Sequence, residues 1–148
     1  MAPTAETRRM LEGGCHCGAI TLAFSTARVP ADTAPRACDC SFCRAHGAAW
    51  VSDAAAQLVL HAHRPDRVRR YRQGSLAAQF LLCGDCGVLV AVVFEDGART
   101  YAAVNARCLE VRDRFAPVVP ASPHKLEPDE KTARWRQLWI ADVRWATD

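Results

Sequence analysis

Three closely spaced cysteines, Cys38, Cys40 and Cys43, constrain the fold of this chain more than any other feature of its sequence. Side chains two residues apart on an extended segment point the same way, so Cys38 and Cys40 face one side. Cys43 can return to them if the chain turns after Cys40. Thiolates bind Zn²⁺ tetrahedrally at roughly 2.3 Å, and three of them leave the fourth position open, as in catalytic or ligand-binding zinc sites.

Two more cysteine pairs lie far apart in the chain: Cys15 with Cys17, and Cys83 with Cys86. A glycine follows each pair and allows the tight bend at which backbone N–H groups face the sulfur atoms. The pairs together predict a closed four-cysteine zinc site that joins two distant segments and stabilises the fold. The alternatives are a redox-active pair at Cys83 and Cys86, or unligated thiols in the core. No βαβ pattern surrounds the second pair, which disfavours redox chemistry.

The composition is typical of a globular protein in a reducing compartment. The 148 residues predict one domain, and 50% of them are hydrophobic and 24% charged. Eight cysteines in 148 residues fall below the roughly 8–10% of a disulfide scaffold, so metal ligation explains them better. Met1–Glu12 lacks the apolar segment of a secretory signal, and no apolar run is long enough to span a membrane. We therefore predict a cytoplasmic protein with no membrane partner, a flexible tail at residues 1–10 and a single domain at 11–148.

Short alternating segments predict a mainly β fold built from antiparallel strands. Ile20, Leu22 and Phe24 alternate with polar or small residues, which is typical of a half-buried strand. Further strands are expected at Trp50–Val51, Leu58–Leu60, Val68–Arg72, Val88–Phe94 and Thr100–Asn105.

Helical structure is expected in two places only. A brief helical turn, capped by Ser41, should follow the three-cysteine motif and end near Gly47. Residues 117–128 contain four prolines and should be irregular. Residues 129–138 then have the composition of a helix.

Arginines next to the three-cysteine motif are candidate partners of a bound anion. A fourth thiolate would raise the net charge of a zinc site to minus two, so Arg36 and Arg44 are expected nearby. The alternatives are that Arg44 caps the turn at the surface and that Arg36 is solvated. Five more arginines between Arg64 and Arg72 form either a clamp for ligand carboxylates or a solvated edge strand protected by its charge. With a net charge of +3, the chain does not indicate a nucleic-acid partner.

Three segments carry a resemblance to a known family: Gly14–Ile20, Cys38–Arg44 and Cys83–Gly87. In the order and spacing of their seven cysteines, they resemble the glutathione-dependent formaldehyde-activating enzyme family, also called the CENP-V/GFA domain family. Val104–Ala106, followed by Leu109, is similar to the strand that this family has after its last cysteine pair. The resemblance covers roughly Gly13 to Leu109.

The resemblance implies a β-tent fold in which short antiparallel strands are held by two zinc ions. It assigns a structural zinc to Cys15, Cys17, Cys83 and Cys86, and a catalytic or exchangeable zinc to Cys38, Cys40 and Cys43. The implied activity is that of a carbon–sulfur lyase, S-(hydroxymethyl)glutathione synthase. The expected partners are a small glutathione-like thiol and formaldehyde or a similar aldehyde. The candidate catalytic residues are Cys38, Cys40, Cys43 and Arg44.

Other interpretations stay open from the residues alone. No residue stands out as a general base, so the chain can also be a non-catalytic, zinc-stabilised thiol carrier or binding module. A redox protein that uses Cys38 and Cys43 is a third hypothesis. The three-cysteine site would be structural if a histidine completed it, the candidates being His16, His46 and His124. Cys108 stands alone and is expected to be a small buried side chain.

Overall fold

Eleven strands in two sheets form the framework of the computed structural model, which describes residues 7–148. The strands are β1 (Arg9–Gly14), β2 (Ile20–Thr26), β3 (Arg36–Cys38), β4 (Trp50–Val51), β5 (Gln57–Ala62), β6 (Val68–Tyr71), β7 (Ala78–Cys83), β8 (Leu89–Asp96), β9 (Arg99–Asn105), β10 (Val119–Ala121) and β11 (Asp142–Thr147). The smaller sheet has the order β1-β2-β5-β11, and the larger one β10-β3-β4-β9-β8-β7-β6. All pairs are antiparallel except β3 with β10 and β5 with β11. The predicted mainly β fold with antiparallel strands is confirmed.

Within residues 7–148, two α-helices and five 3₁₀ turns connect the strands. The α-helices are α1 (Ser41–His46) and α2 (Pro128–Leu138), and the 3₁₀ turns are Pro30–Asp32, Pro65–Arg67, Ala106–Cys108, Arg112–Arg114 and Pro123–Lys125. The predicted cap of α1 was wrong by one residue. Cys40, not Ser41, is the N-cap, because its sulfur accepts a hydrogen bond from the Cys43 N–H at 3.4 Å. The helix ends at Gly47, as predicted.

The core lies against both sheets and continues to the three-cysteine motif. Ile20, Leu22 and Phe24 of β2 are buried, as their alternation predicted, and they pack with residues of β5 and β8. A second apolar cluster, rich in aromatic side chains, contains Cys40 and Cys43. This cluster embeds two of the three clustered thiols in an apolar wall.

Four strands, β1, β7, β10 and β11, lie where the sequence predicted none. β10 forms within residues 117–128, which were expected to be irregular, and β11 follows α2. Neither β10 nor β11 shows a regular alternation of buried and exposed residues, so periodicity could not reveal them. Pro120 is compatible with β10 because this strand is the outermost of its sheet, where no neighbour requires its missing N–H group.

The N-terminal strand β1 lies where the sequence predicted no strand. β1 starts at Arg9, inside the segment that was predicted to be a tail. The other tail residues up to residue 6 lie outside the described part of the chain. Among residues 7–148, no helix is both long and apolar enough to cross a membrane.

Candidate metal centres

The four-cysteine cluster joins the turn between β1 and β2 to the turn between β7 and β8. Its members are Cys15, Cys17, Cys83 and Cys86, whose sulfur atoms all lie within 4.8 Å of one another. The Cys17 sulfur is 3.8 Å from that of Cys15 and 3.5 Å from that of Cys83. A tetrahedron with metal–sulfur bonds of about 2.3 Å has edges of about 3.8 Å. The arrangement therefore fits a zinc ion with four thiolate ligands.

Glycine bends and backbone N–H groups place these thiols in positions suitable for metal ligands. Gly18 and Gly87 have φ of 82° and 79°, a conformation that glycine adopts without steric cost, as the predicted bends require. The N–H groups of Asp85 and Cys86 donate hydrogen bonds to the Cys83 sulfur. Such bonds stabilise a thiolate and orient it toward a metal.

The pKa values of two thiols of this cluster, Cys15 and Cys86, are shifted in opposite directions. Burial raises the pKa of Cys15 to about 11, although the Ile20 N–H donates to its sulfur. At Cys86 burial also acts to raise the pKa, but hydrogen bonds from the Val88 backbone and from neighbouring cysteines outweigh it and lower the pKa to about 6. A cation lies close as well, because Arg64 donates a hydrogen bond to the Cys17 sulfur at 3.7 Å. A zinc ion with four thiolates has a net charge of minus two, which this guanidinium offsets in part.

The eighth cysteine, Cys108, lies outside both clusters. Its thiol is half-buried and donates a hydrogen bond to the Leu89 carbonyl at 3.1 Å. Burial, together with the nearby Cys15 and Cys86, raises its pKa to about 12. It stays protonated at neutral pH and packs against the core, but it is only partly buried, whereas the sequence predicted a buried side chain.

The three-cysteine cluster is formed within one bend of the chain. Cys38 ends β3, Cys40 caps α1 and Cys43 lies in the first turn of that helix, so their sulfur atoms meet within 4.8 Å of one another. No other cysteine, histidine or carboxylate of residues 7–148 joins this group. Three sulfur donors of this kind fit a zinc ion that takes its fourth ligand from outside the chain.

Two side chains from other strands and turns contact the sulfur atoms of this cluster. The indole N–H of Trp50 donates to the Cys43 sulfur at 3.4 Å, and the side-chain amide of Gln73 donates to the Cys40 sulfur at 3.8 Å. In the metal-free chain, a hydrogen bond from Cys43 lowers the pKa of Cys38 to about 6. The same bond, followed by burial, raises the pKa of Cys43.

A cavity of about 380 Å³ opens onto the three-cysteine cluster. One wall carries the three cysteines together with Trp50 and Phe80. The opposite wall is formed by β10 and α2, and its aromatic residues Trp135 and Trp139 stack with ring centroids 4.7 Å apart. The four-cysteine cluster lines none of the cavities found among the described residues. Of the two clusters, it is therefore the three-cysteine cluster that borders a space able to hold a small molecule.

Three cations face this cavity: Arg36, Lys131 and Arg134. Arg36 is half-buried and donates to the Ser52 hydroxyl at 2.9 Å. Burial, followed by the charges of Arg134 and Arg28, lowers its pKa, and the guanidinium remains protonated at neutral pH. Within residues 7–148, none of the three cations forms an ion pair. The cavity therefore favours an anionic ligand.

The other predicted cation lies elsewhere. Arg44 is exposed on α1 and does not line the cavity, so its catalytic role stays a prediction. The arginines between Arg64 and Arg72 are all exposed on or next to β6, the last strand of the larger sheet. They line none of the cavities, and Arg64 and Arg67 instead pair with Asp85 beside the four-cysteine cluster. This placement favours the edge-strand interpretation over the ligand clamp.

None of the histidines proposed as a fourth ligand is grouped with the three cysteines. His124 is the one of them that lines the cavity, and its Nε2 contacts the Asp39 carboxylate at 2.6 Å. His46 is exposed on α1 and packs against the Phe42 ring. His16 is exposed next to the other cluster. The structure thus supports a three-cysteine centre without a histidine ligand from the described residues.

Sequence reasoning missed several residues of the cavity. Trp50 was assigned only to a strand, and Lys131 and Arg134 only to a helix. Gln73 was given no role in a site. No motif marks them, because their role depends on how β4, the β6–β7 turn and α2 pack around the cysteines. The four-residue spacing of Trp135 and Trp139 was the one available signal, since it places both rings on one helix face.

Comparison with known proteins is consistent with this geometry. No curated protein matches the chain significantly. A crystal structure of a Rhodobacter sphaeroides protein has a similar fold, with a TM-score of 0.52, 23% sequence identity, and coverage of 91% of this chain and 99% of that one. The family model described as glutathione-dependent formaldehyde-activating enzyme matches residues 10–122, which include all seven clustered cysteines. The chain therefore belongs to the glutathione-dependent formaldehyde-activating enzyme family.

Proposed function

We propose that this protein is a carbon–sulfur lyase that joins a small glutathione-like thiol to formaldehyde or a similar aldehyde. In the addition, the thiol sulfur forms a bond to the aldehyde carbon, and the proton lost by the thiol is returned to the carbonyl oxygen. The product is an S-hydroxyalkyl thioether, and the reverse reaction cleaves the same carbon–sulfur bond. The proposal includes two zinc ions, a structural one at the four-cysteine cluster and a catalytic or exchangeable one at the three-cysteine cluster.

The observation that carries the proposal is the position of the three-cysteine cluster in a cavity wall. Cys38, Cys40 and Cys43 supply three sulfur ligands, and no fourth ligand comes from residues 7–148. The cavity of about 380 Å³ is within the usual size range for sites that bind small molecules. A substrate thiol therefore has both a coordination position and a space to occupy.

A zinc ion at this position would lower the pKa of a substrate thiol, so that a thiolate nucleophile exists at neutral pH. The chain's own residues support that role. Trp50 and Gln73 donate hydrogen bonds to the ligand sulfur atoms and so hold the cluster in one geometry. The aromatic walls limit the access of water to the reacting groups.

The cations of the cavity support a thiol substrate that carries carboxylates. Arg36, Lys131 and Arg134 lack ion-pair partners within the described residues, and Arg36 is half-buried near the cysteines. A carboxylate of glutathione can take up their hydrogen bonds. We therefore assign the anion-binding role to these residues rather than to Arg64–Arg72.

A thiol carrier is the second candidate function, and one observation favours it. No aspartate or glutamate of the described residues lines the cavity, and His124, the histidine that does, is exposed and bound to Asp39. An enzyme would then depend on water or on this histidine to protonate the product oxygen. A carrier would bind the same thiol at the same cluster without accelerating the addition.

The test is the rate of adduct exchange between glutathione and ¹³C-formaldehyde, measured by exchange NMR spectroscopy with and without protein. We expect catalytic amounts of the wild-type protein to accelerate exchange and Cys40→Ser to abolish the acceleration. Serine is a good N-cap residue, so this substitution removes a metal ligand while keeping α1 capped. Cys108→Ser is the matched control and should retain activity, because Cys108 lies outside both clusters.

The outcome also separates the two candidates. Glutathione binding by calorimetry without faster exchange would support the carrier and contradict the enzyme. Unchanged exchange in Cys40→Ser would contradict the catalytic assignment of the cluster. The predicted cytoplasmic location fits this proposal, because all eight cysteines are free thiols, which a reducing compartment maintains.

A further inference from the structure

A third group of metal-binding side chains lies away from both cysteine clusters, on the smaller sheet. It consists of His61, His63 and Asp148, whose ligand atoms all lie within 4.8 Å of one another. The histidines are two residues apart at the end of β5, so they point to the same face of the sheet. Asp148 follows β11, which is the parallel neighbour of β5.

The separations in this group are close to those of ligands around one metal ion. Nδ1 of His63 is 3.2 Å from both carboxylate oxygens of Asp148. With bonds of about 2.1 Å, neighbouring ligand atoms lie roughly 3.0–3.4 Å apart. Nε2 of His61 is 2.6 Å from the nearer carboxylate oxygen of Asp148. This ring would have to move away from that oxygen by less than about 1 Å to reach the same separation. The two imidazole rings are stacked with centroids 3.8 Å apart, which holds both on the same face of the sheet.

A residue of the adjacent strand orients one of the rings. Thr21 of β2 lies opposite His61 in the register, and its hydroxyl contacts Nε2 of His63 at 2.9 Å. When Nε2 of His63 carries the proton and donates it to Thr21, Nδ1 presents its lone pair to the group. A hydrogen bond to the second ring nitrogen is the usual arrangement for a metal-binding histidine.

We propose that His61, His63 and Asp148 bind a divalent transition metal ion, with Thr21 as the positioning residue for His63. Two imidazoles and a carboxylate suit ions such as Zn²⁺, Ni²⁺ or Co²⁺ better than the hard cations Mg²⁺ and Ca²⁺. The site is partly exposed and has no thiolate, so its affinity is lower than that of the cysteine clusters. It is independent of the proposed enzymatic activity.

The bound ion would fasten the C-terminal strand to the sheet. Among the described strands, β11 is an edge strand that pairs with β5 alone, and Asp148 lies at its end. It follows α2, the helix that forms one wall of the cavity. A metal ion between β5 and Asp148 would therefore oppose fraying of the last strand of the described chain.

The test is a calorimetric titration of zinc-loaded, fully reduced protein with Co²⁺. The wild-type protein should bind one further equivalent without releasing zinc, and without the strong near-ultraviolet absorption of cobalt bound to thiolate. His63→Gln should weaken binding by roughly tenfold or more, and Thr21→Val should weaken it measurably while retaining the β-branched shape. His46→Gln, which changes another exposed histidine, should bind as the wild type does.

Hydrogen exchange supplies a second readout. Amides of β11 should exchange more slowly after Co²⁺ is added to the wild-type protein, and unchanged exchange would overturn the role in fastening the strand. Absence of the further equivalent, or equal binding by wild type and His63→Gln, would overturn the metal site itself. Cobalt that binds with thiolate absorption and zinc release would also contradict it, because the ion would then occupy a cysteine cluster.

Discussion

The two cysteine clusters contain similar donors but are assembled in different ways. The four-cysteine cluster draws its two pairs from turns 66 residues apart, as the contact between Cys17 and Cys83 shows. The three-cysteine cluster is built within one bend, by the end of β3 and the start of α1. The first has four sulfur donors, whereas the second has three and borders a cavity of about 380 Å³.

From this difference we expect the four-cysteine cluster to stabilise the fold and the three-cysteine cluster to take part in chemistry. A cross-link between distant segments greatly restricts the unfolded chain, so metal binding there contributes strongly to folding. A local bend closes almost no loop, so we expect a metal ion bound there to be exchanged or removed with little effect on the fold. The four predictions below test this separation, beginning with the largest expected effect.

Cys83→Ser should disrupt the whole domain. Cys83 is 1% exposed and accepts two backbone hydrogen bonds within the four-cysteine cluster. Loss of one thiolate from a structural zinc site should lower the free energy of unfolding by at least about 3 kcal/mol. Thermal unfolding and zinc content per chain are the measurements. A variant that keeps two zinc ions and the wild-type melting temperature would remove the distinction between the clusters.

A chelator should remove zinc from the fully loaded protein in two phases. The faster phase should belong to the three-cysteine cluster, because its metal is reached through the cavity and has one ligand fewer from the chain. Zinc release can be followed with a colorimetric indicator while circular dichroism reports the fold. The fast phase should be absent from Cys40→Ser. In the wild-type protein, it should leave the circular dichroism signal of the β-sheets unchanged. Loss of that signal during the fast phase would contradict the assignment.

Trp50→Phe should weaken metal binding at the three-cysteine cluster alone. The substitution removes the indole donor to the Cys43 sulfur and keeps an aromatic ring in the core. Removal of such a supporting hydrogen bond should lower the metal affinity by about tenfold. Trp139→Phe is the matched control, because Trp139 lines the same cavity without a bond to sulfur. Competition with a chelator of known affinity measures both variants.

The smallest effect is expected at the ion pair that attaches α2 to the β8–β9 hairpin. Arg136 of α2 donates to the Asp96 carboxylate at 2.7 Å, which lowers the pKa of Asp96 below its ordinary value of 3.8. A depressed pKa in the folded state stabilises the protein above the unfolded pKa, and this contribution disappears as the pH falls through the folded value. Asp96→Asn should therefore have a slightly lower free energy of unfolding than the wild type at neutral pH. This difference should disappear only in acid.

Denaturation at pH 7, pH 5 and below pH 3.8 should measure that difference. The gap, meaning the difference in the free energy of unfolding between wild type and variant, should be equal at pH 7 and pH 5. Arg136→Gln should give the same gap, and the double variant should add nothing further, because both substitutions remove one interaction. A gap that grows in acid would contradict this assignment. The fast and slow zinc phases should persist in all three variants, since α2 supplies no ligand.

The sequence predicted the cysteine clusters because ligand identity and local spacing are properties of the chain itself. It also predicted β2, whose alternation is complete, and α2, whose composition is helical. It missed β10 and β11, because both lie at sheet edges and have no regular pattern of burial. It also assigned no strand to the segments of β1 and β7. It placed the cap of α1 at Ser41, since a cysteine is rarely considered as the capping residue.

By itself, the sequence determined which sulfur atoms can bind metal and the mainly β class of the fold. Only the tertiary structure decided which cluster borders a cavity and which cations face it. Arg36 and Arg134 are about a hundred residues apart, yet the charge of Arg134 contributes to lowering the pKa of Arg36. The physical reason is that ligand spacing is set by a few bonds of backbone, whereas a cavity wall depends on how α2 and β10 pack against the rest of the chain.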